Sequence, residues 1–74
     1  MNMKQFSIHT FSKRLEELIK EKNLTLKKIA IGINMTETSI CDWKNCKIEP
    51  KISSIVALAN FFNVSVGYMA GVED

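Results

Sequence analysis

The sequence is poor in the residues that most small catalytic or secreted proteins depend on. Two cysteines, Cys41 and Cys46, are too few for a disulfide framework, and one histidine cannot complete a zinc-ligand set with them. They read as free thiols in a reducing cytoplasm. Only three glycines occur, and none forms part of a phosphate-cradling loop. No paired carboxylates at a pocket, nucleophile with its base, or metal set appears, so neither an enzyme nor a metal or small-molecule cofactor is expected. The opening "MNMKQFSIHT" lacks the apolar run of a signal peptide, and no stretch approaches membrane-spanning length, so no membrane partner is expected. Charge of one sign is scarce as well. Ten Lys and Arg against eight Asp and Glu leave a net +2, so bulk charge does not itself point to nucleic acid. Any such reading must rest on where the charges sit.

What is present is globular. The 74 residues allow one domain, with 46% hydrophobic and 24% charged residues. A domain this short buries only about 60% of its unfolded-chain surface, so pairing with a second copy would add stability. Nothing repeats internally.

Apolar positions recur with helical period along the chain. Phe11, Leu15, Leu18 and Ile19 form one stripe, with Thr10 as the expected N-cap. Lys13, Arg14, Glu16, Glu17, Lys20 and Glu21 make a solvated opposite face, with Glu16 and Lys20 in the favourable i, i+4 order. Leu26, Ile29, Ala30 and Ile33 mark helix 2 behind Thr25. Helix 3, about 37 to 44, follows Thr36, and Met35 has the spacing of a hydrophobic staple onto Ile40. After the loop "NCKIEP", helix 4 carries apolar residues most of the way round, as a central helix would. Ser65 caps a last helix, "VGYMAG". Asn23, Asn34 and Asn63 each stand just past a stripe, where a left-handed residue commonly ends a helix and Asn substitutes for Gly. Five short helices and no strand signal predict an all-α domain.

The polar run Thr36-Glu37-Thr38-Ser39 interrupts apolar sequence on both sides. On a helical wheel, Ile40 and Trp43 define a buried side, and Thr38, Cys41, Asp42 and Asn45 fall opposite, with Glu37 and Lys44 on one flank and Ser39 on the other. A short helix that turns small polar side chains outward, close behind another short helix, is the arrangement of a helix-turn-helix. The same wheel also describes an ordinary surface helix, so the arrangement of the whole chain has to decide.

From Phe11 to Gly71 the chain resembles the lambda-repressor-like helix-turn-helix family, which holds phage repressors, Cro proteins and many small bacterial regulators of the XRE type. The stretches "FSKRLEELIKEKNLT", "IAIGINMTETSICDWKN", "KIEPKISSIVALANFFNVS" and "VGYMAG" carry the resemblance. It implies five helices with helices 2 and 3 as the motif, an arm over 1–10, the domain over 11–71 and a tail over 72–74. Ile29, Ala30, Asn34, Met35, Ile40 and Trp43 take the positions that hold the motif together. Glu37, Thr38, Cys41 and Asp42 match positions facing base edges, and Leu26, Lys27, Thr36, Ser39, Asn45 and Lys47 match positions near phosphates. Three departures stand out. Leu26 replaces a frequent Gln, leaving only a backbone N–H for a phosphate. Cys46 replaces the usual Gly after Asn45, which puts the local backbone and its phosphate contact in question. Two acids, Glu37 and Asp42, stand on the reading face; carboxylates accept from cytosine N4 and are repelled by phosphate.

The resemblance implies a sequence-specific DNA-binding regulator, a repressor, acting on double-stranded DNA as a homodimer in a bacterial or phage-infected cytoplasm. Lys27, Lys28, Lys44, Lys47 and Lys51 would supply positive charge around the reading face; each alone is also an ordinary solvated lysine. Phe61, Val66, Tyr68, Met69 and Val72 either form the dimer contact or close the monomer core. Cys41 reads as a small side chain for a thymine methyl before it reads as a redox switch. His9 is an unassigned surface residue. In the arm, Lys4 would reach DNA, and Phe6 and Ile8 would either follow it or pack on the domain. The rival from another class is a helical protein-interaction module that kept the fold without DNA binding. Within DNA binding, the rival is an antitoxin or restriction-controller protein. A DNA-binding domain cut from a longer repressor would show the same sequence.

Overall fold

The computed structural model describes residues 5–73, and Lys4 lies outside them. Among the described residues the chain is all-helical: α1 (Ile8–Lys22), α2 (Leu26–Ile33), α3 (Glu37–Lys44), α4 (Ile52–Phe62) and α5 (Val66–Ala70). The helices form because each carries an apolar stripe and all but α4 have a side-chain-capped N-terminus. Ser7, Thr25, Thr36 and Ser65 accept from the backbone N–H three residues on, while Lys51 heads α4 without a side-chain cap. The cap of α1 is Ser7 rather than the expected Thr10, so Ile8, His9 and Thr10 are helical and the arm is shorter than the stripe alone suggests. Periodicity misses that turn because Ile8 and Phe11 extend the same stripe backwards only when the cap is placed earlier. Phe6 does pack, its ring centroid 6.1 Å from that of Phe11, and Ile8 lies against the core.

All five helices end alike. Asn23, Asn34, Cys46, Asn63 and Gly71 have φ of 54°, 58°, 59°, 58° and 81°. In each case the next residue's N–H reaches back five residues: Leu24 to Ile19, Met35 to Ala30, Lys47 to Asp42, Val64 to Ala59 and Val72 to Gly67. This is the Schellman closure, which satisfies carbonyls that the last helical turn leaves open. The three asparagines follow the expectation. At α3 the left-handed residue is Cys46, one position beyond Asn45, whose own φ is −93°.

The core gathers Phe11, Leu15 and Leu18 of α1, Ile29 and Ala30 of α2, Ile40 and Trp43 of α3, Ile55, Leu58, Ala59 and Phe62 of α4, and Met69 and Ala70 of α5. Helix α4 is less fully wrapped than its sequence suggests, because Ile52 and Val56 face solvent. Two residues held open for a dimer contact close the monomer instead: Met69 is fully buried, and Phe61 packs edge-on to Phe62 at 5.1 Å. Gly32 is the reason Phe61 fits. A Cβ there would stand 2.3 Å from the Phe61 ring, so only glycine lets α2 approach α4 this closely. Arg14 is not part of a solvated face. Its guanidinium donates to the carbonyls of Tyr68 at 2.7 Å and Glu73 at 2.5 Å and lies 4.5 Å from the Tyr68 ring centroid. The exposed Glu16–Lys20 pair, at 4.0 Å, contributes little by comparison. No helix among the described residues is long and apolar enough to cross a membrane.

Candidate nucleic-acid interface

Helix α3 is set on the domain from beneath. Ile40 and Trp43 are buried, and the Trp43 ring meets Phe11 edge-on at 6.4 Å. The Trp43 carbonyl accepts from the buried Ser12 hydroxyl of α1, and Cys46 Sγ points at the same hydroxyl from 3.3 Å. Cys46 Sγ also lies 3.5 Å from His9 Nδ1. The C-terminal end of α3 is thus tied to α1 by residues 31 and 34 positions away. A reading helix has to hold its side chains to a fixed geometry, and this double attachment does that.

At the other end, Thr36 caps α3. Its Oγ1 accepts from the Ser39 N–H at 3.1 Å and shares a 3.0 Å hydrogen bond with the Ser39 hydroxyl. The two expected phosphate partners therefore form one unit at the start of the helix, with Thr36 exposed and Ser39 half-buried. Glu37 occupies the first turn, where the helix dipole favours an acid. Glu37, Thr38 and Cys41 are exposed, and Asp42 is half-buried. Asn45 donates to Cys41 Sγ at 3.4 Å, which places Asn45 along the outward row as well as at the helix end.

The flanks carry the cations. Lys27 and Lys28 are exposed in the first turn of α2, Lys47 and Lys51 are exposed beyond α3, and Lys44 is half-buried. Leu26, the first residue of α2, is half-buried and packs its side chain on the core. Of the residues expected to hold the motif together, Ile29, Ala30, Ile40 and Trp43 are in the core, and Asn34 makes the left-handed turn between α2 and α3. Met35 is different. It is 38% exposed and lines a cleft of about 400 Å³ with Ser39, Trp43, Ile48 and the start of α4. The residue after a left-handed Asn is apolar at all three sites, but Leu24 and Val64 turn inward and Met35 does not. Among the described residues no three His, Cys, Asp or Glu side chains converge as a metal site would require.

Sequence reasoning missed the roles of Ser12, which it left unassigned, and of Arg14, which it placed on the solvated face. Ser12 stands between Phe11 and Lys13 and is buried; nothing in the local pattern separates it from an exposed serine. The position of Cys46 was the one visible signal, since a residue in glycine's place must either accept φ > 0 or change the turn.

Two short helices joined by a three-residue turn, the second fixed on its inner side and polar on its outer side, define a helix-turn-helix domain. The chain belongs to the helix-turn-helix family, whose model matches residues 15–69. It is similar to the HTH-type transcriptional activator BcrR of Enterococcus faecalis, 28% identical over 64 residues that cover 86% of this chain and 31% of that protein. It is similar also to the uncharacterized HTH-type transcriptional regulator YobD of Bacillus subtilis, 30% identical over 64 residues, covering 86% of this chain and 57% of that one. The chain thus spans about a third and somewhat over half of these two relatives. No solved structure matches it significantly.

Proposed function

We propose that the chain binds double-stranded DNA sequence-specifically and regulates transcription, laying α3 in the major groove of a two-fold operator. The observation that carries this is the outward row of α3: Glu37, Thr38 and Cys41 are exposed, with Asp42 beside them, on a helix held rigidly by Ile40, Trp43 and the Ser12 attachment. The exposed lysines at the start of α2 and beyond α3 lie on either side in sequence, where phosphate contacts would fix the register. Both named relatives are transcriptional regulators, and BcrR is an activator. Repression would follow from occupying a promoter, with no reaction on the DNA.

Selection from a randomised duplex pool at moderate salt tests this. Enrichment of a two-fold site, its half-sites about one helical turn apart, is the expected result and identifies the operator. A single enriched half-site would retain specific binding and remove the dimer. No enrichment, and no retention at low salt, would overturn the proposal in favour of a protein-interaction module, the reading that the acids Glu37 and Asp42 favour.

A further inference from the structure

The outward side of α3 carries two carboxylates and few donors. Glu37 is exposed and Asp42 half-buried, and neither carboxylate is engaged in a hydrogen bond or ion pair among the described residues. Asn45, the amide at the end of the row, turns its Nδ2 onto Cys41 Sγ at 3.4 Å. Thr38 offers a hydroxyl that either donates or accepts. No arginine or glutamine stands in α3, and its one cation, Lys44, is half-buried on the flank. We propose that α3 reads amino groups in the major groove, and that each operator half-site presents two cytosines, one to Glu37 and one to Asp42. This rests on the DNA-binding reading above and names the bases that the site takes.

The four bases differ in what they show to a carboxylate. Guanine presents N7 and O6 and thymine presents O4, all acceptors that repel it; adenine has an amino group but sets the N7 acceptor beside it. Cytosine alone presents an N4 amino group with no acceptor on its own major-groove edge. A carboxylate pressed against a wrong base loses water and gains no donor, so the penalty falls on the competitors and selectivity exceeds affinity. The two acids cannot share one base pair. Five residues separate them, about 7.5 Å along the helix and about 140° around it, on either side of the outward direction. Cys41, between them, is a small side chain that suits the C5 edge of a pyrimidine. Ile40, Trp43 and the Ser12 attachment fix α3, so the helix does not roll to turn either acid away from the bases.

Selection from the randomised duplex pool, run in parallel with the wild type, Glu37→Gln and Asp42→Asn, is the test. The wild type is expected to enrich half-sites that hold two C·G pairs. Glu37→Gln should convert one of them to A·T, because an amide pairs with N6 and N7 of adenine, and Asp42→Asn should convert the other. Fluorescence anisotropy on the enriched duplex gives a second measure. Exchanging either cytosine for adenine should weaken wild-type binding about tenfold or more, and should strengthen binding by the matching variant. A wild-type half-site without two cytosines, or variants that keep the wild-type site and its discrimination, would overturn the proposal while specific DNA binding stands. A wild type that enriches no site overturns the DNA-binding reading and this proposal with it. Where a variant fails to fold, the exchange of bases decides the matter on the wild type alone.

Discussion

Cys46 holds a backbone conformation that costs a side-chain-bearing residue about 1–2 kcal/mol, and its sulfur recovers part of that through the Ser12 hydroxyl at 3.3 Å. The two effects separate by substitution. Cys46→Ala keeps the left-handed strain and loses the sulfur, whereas Cys46→Gly loses both. Urea denaturation should show the glycine variant more stable than the alanine variant by about 1 kcal/mol. Equal stabilities would mean that φ near 59° is not maintained in solution. Glu37 poses the opposite problem, since its charge suits the helix N-terminus and opposes a phosphate backbone. If the acid trades affinity for selectivity, Glu37→Gln should bind an unrelated duplex more tightly at low salt. Fluorescence anisotropy reads this directly, and unchanged or weaker binding would remove that role from Glu37.

Among elements, α2 and α4 meet closely at Gly32. Alanine at Gly32 gains about 1 kcal/mol in helix propensity, but its methyl would fall 2.3 Å from the Phe61 ring, which is itself packed edge-on to Phe62. Overpacking of this kind costs about 1–3 kcal/mol, so Gly32→Ala should lower the thermal midpoint. In a Phe61→Leu background the same substitution should be neutral or stabilising, because the obstacle is gone. A loss of equal size in both backgrounds would show that Phe61 is not the constraint. The matter bears on function, since α2 and the turn at Asn34 orient α3.

For the whole molecule, the last residues are held by the first helix. Arg14 reaches the carbonyls of Tyr68 and Glu73, 54 and 59 residues away, and Ser65 donates to the Glu73 carboxylate at 2.5 Å. Arg14→Ala removes two charge-assisted hydrogen bonds and a cation–π contact on a half-buried side chain, for an expected loss of about 1–2 kcal/mol. Hydrogen exchange should locate that loss in α5 and leave α2 and α3 protected. Arg14→Lys should recover only part of it, since an ammonium can donate to the two carbonyls that Nη1 reaches but cannot stack a planar cation on the Tyr68 ring. Uniform deprotection across all five helices would instead make the domain one cooperative unit.

The number of helices, the asparagines that end three of them and the buried pair Ile40 and Trp43 were legible in the sequence, because periodicity and capping act over a few residues. The outward row Thr38, Cys41, Asp42 and Asn45 follows from the same local geometry once those two anchors are placed. Other features needed the tertiary structure. An apolar pattern does not distinguish Ile52, which faces solvent, from Ile55 one turn on, which is core; only the position of α5 does. Met35 and Arg14 were assigned to other environments than they occupy, and Ser12 to none, for a related reason: their surroundings are set by residues far along the chain. Local hydrogen bonds and side-chain period determined where this protein is helical. Contacts between distant segments decided which residues are buried and how firmly α3 is held.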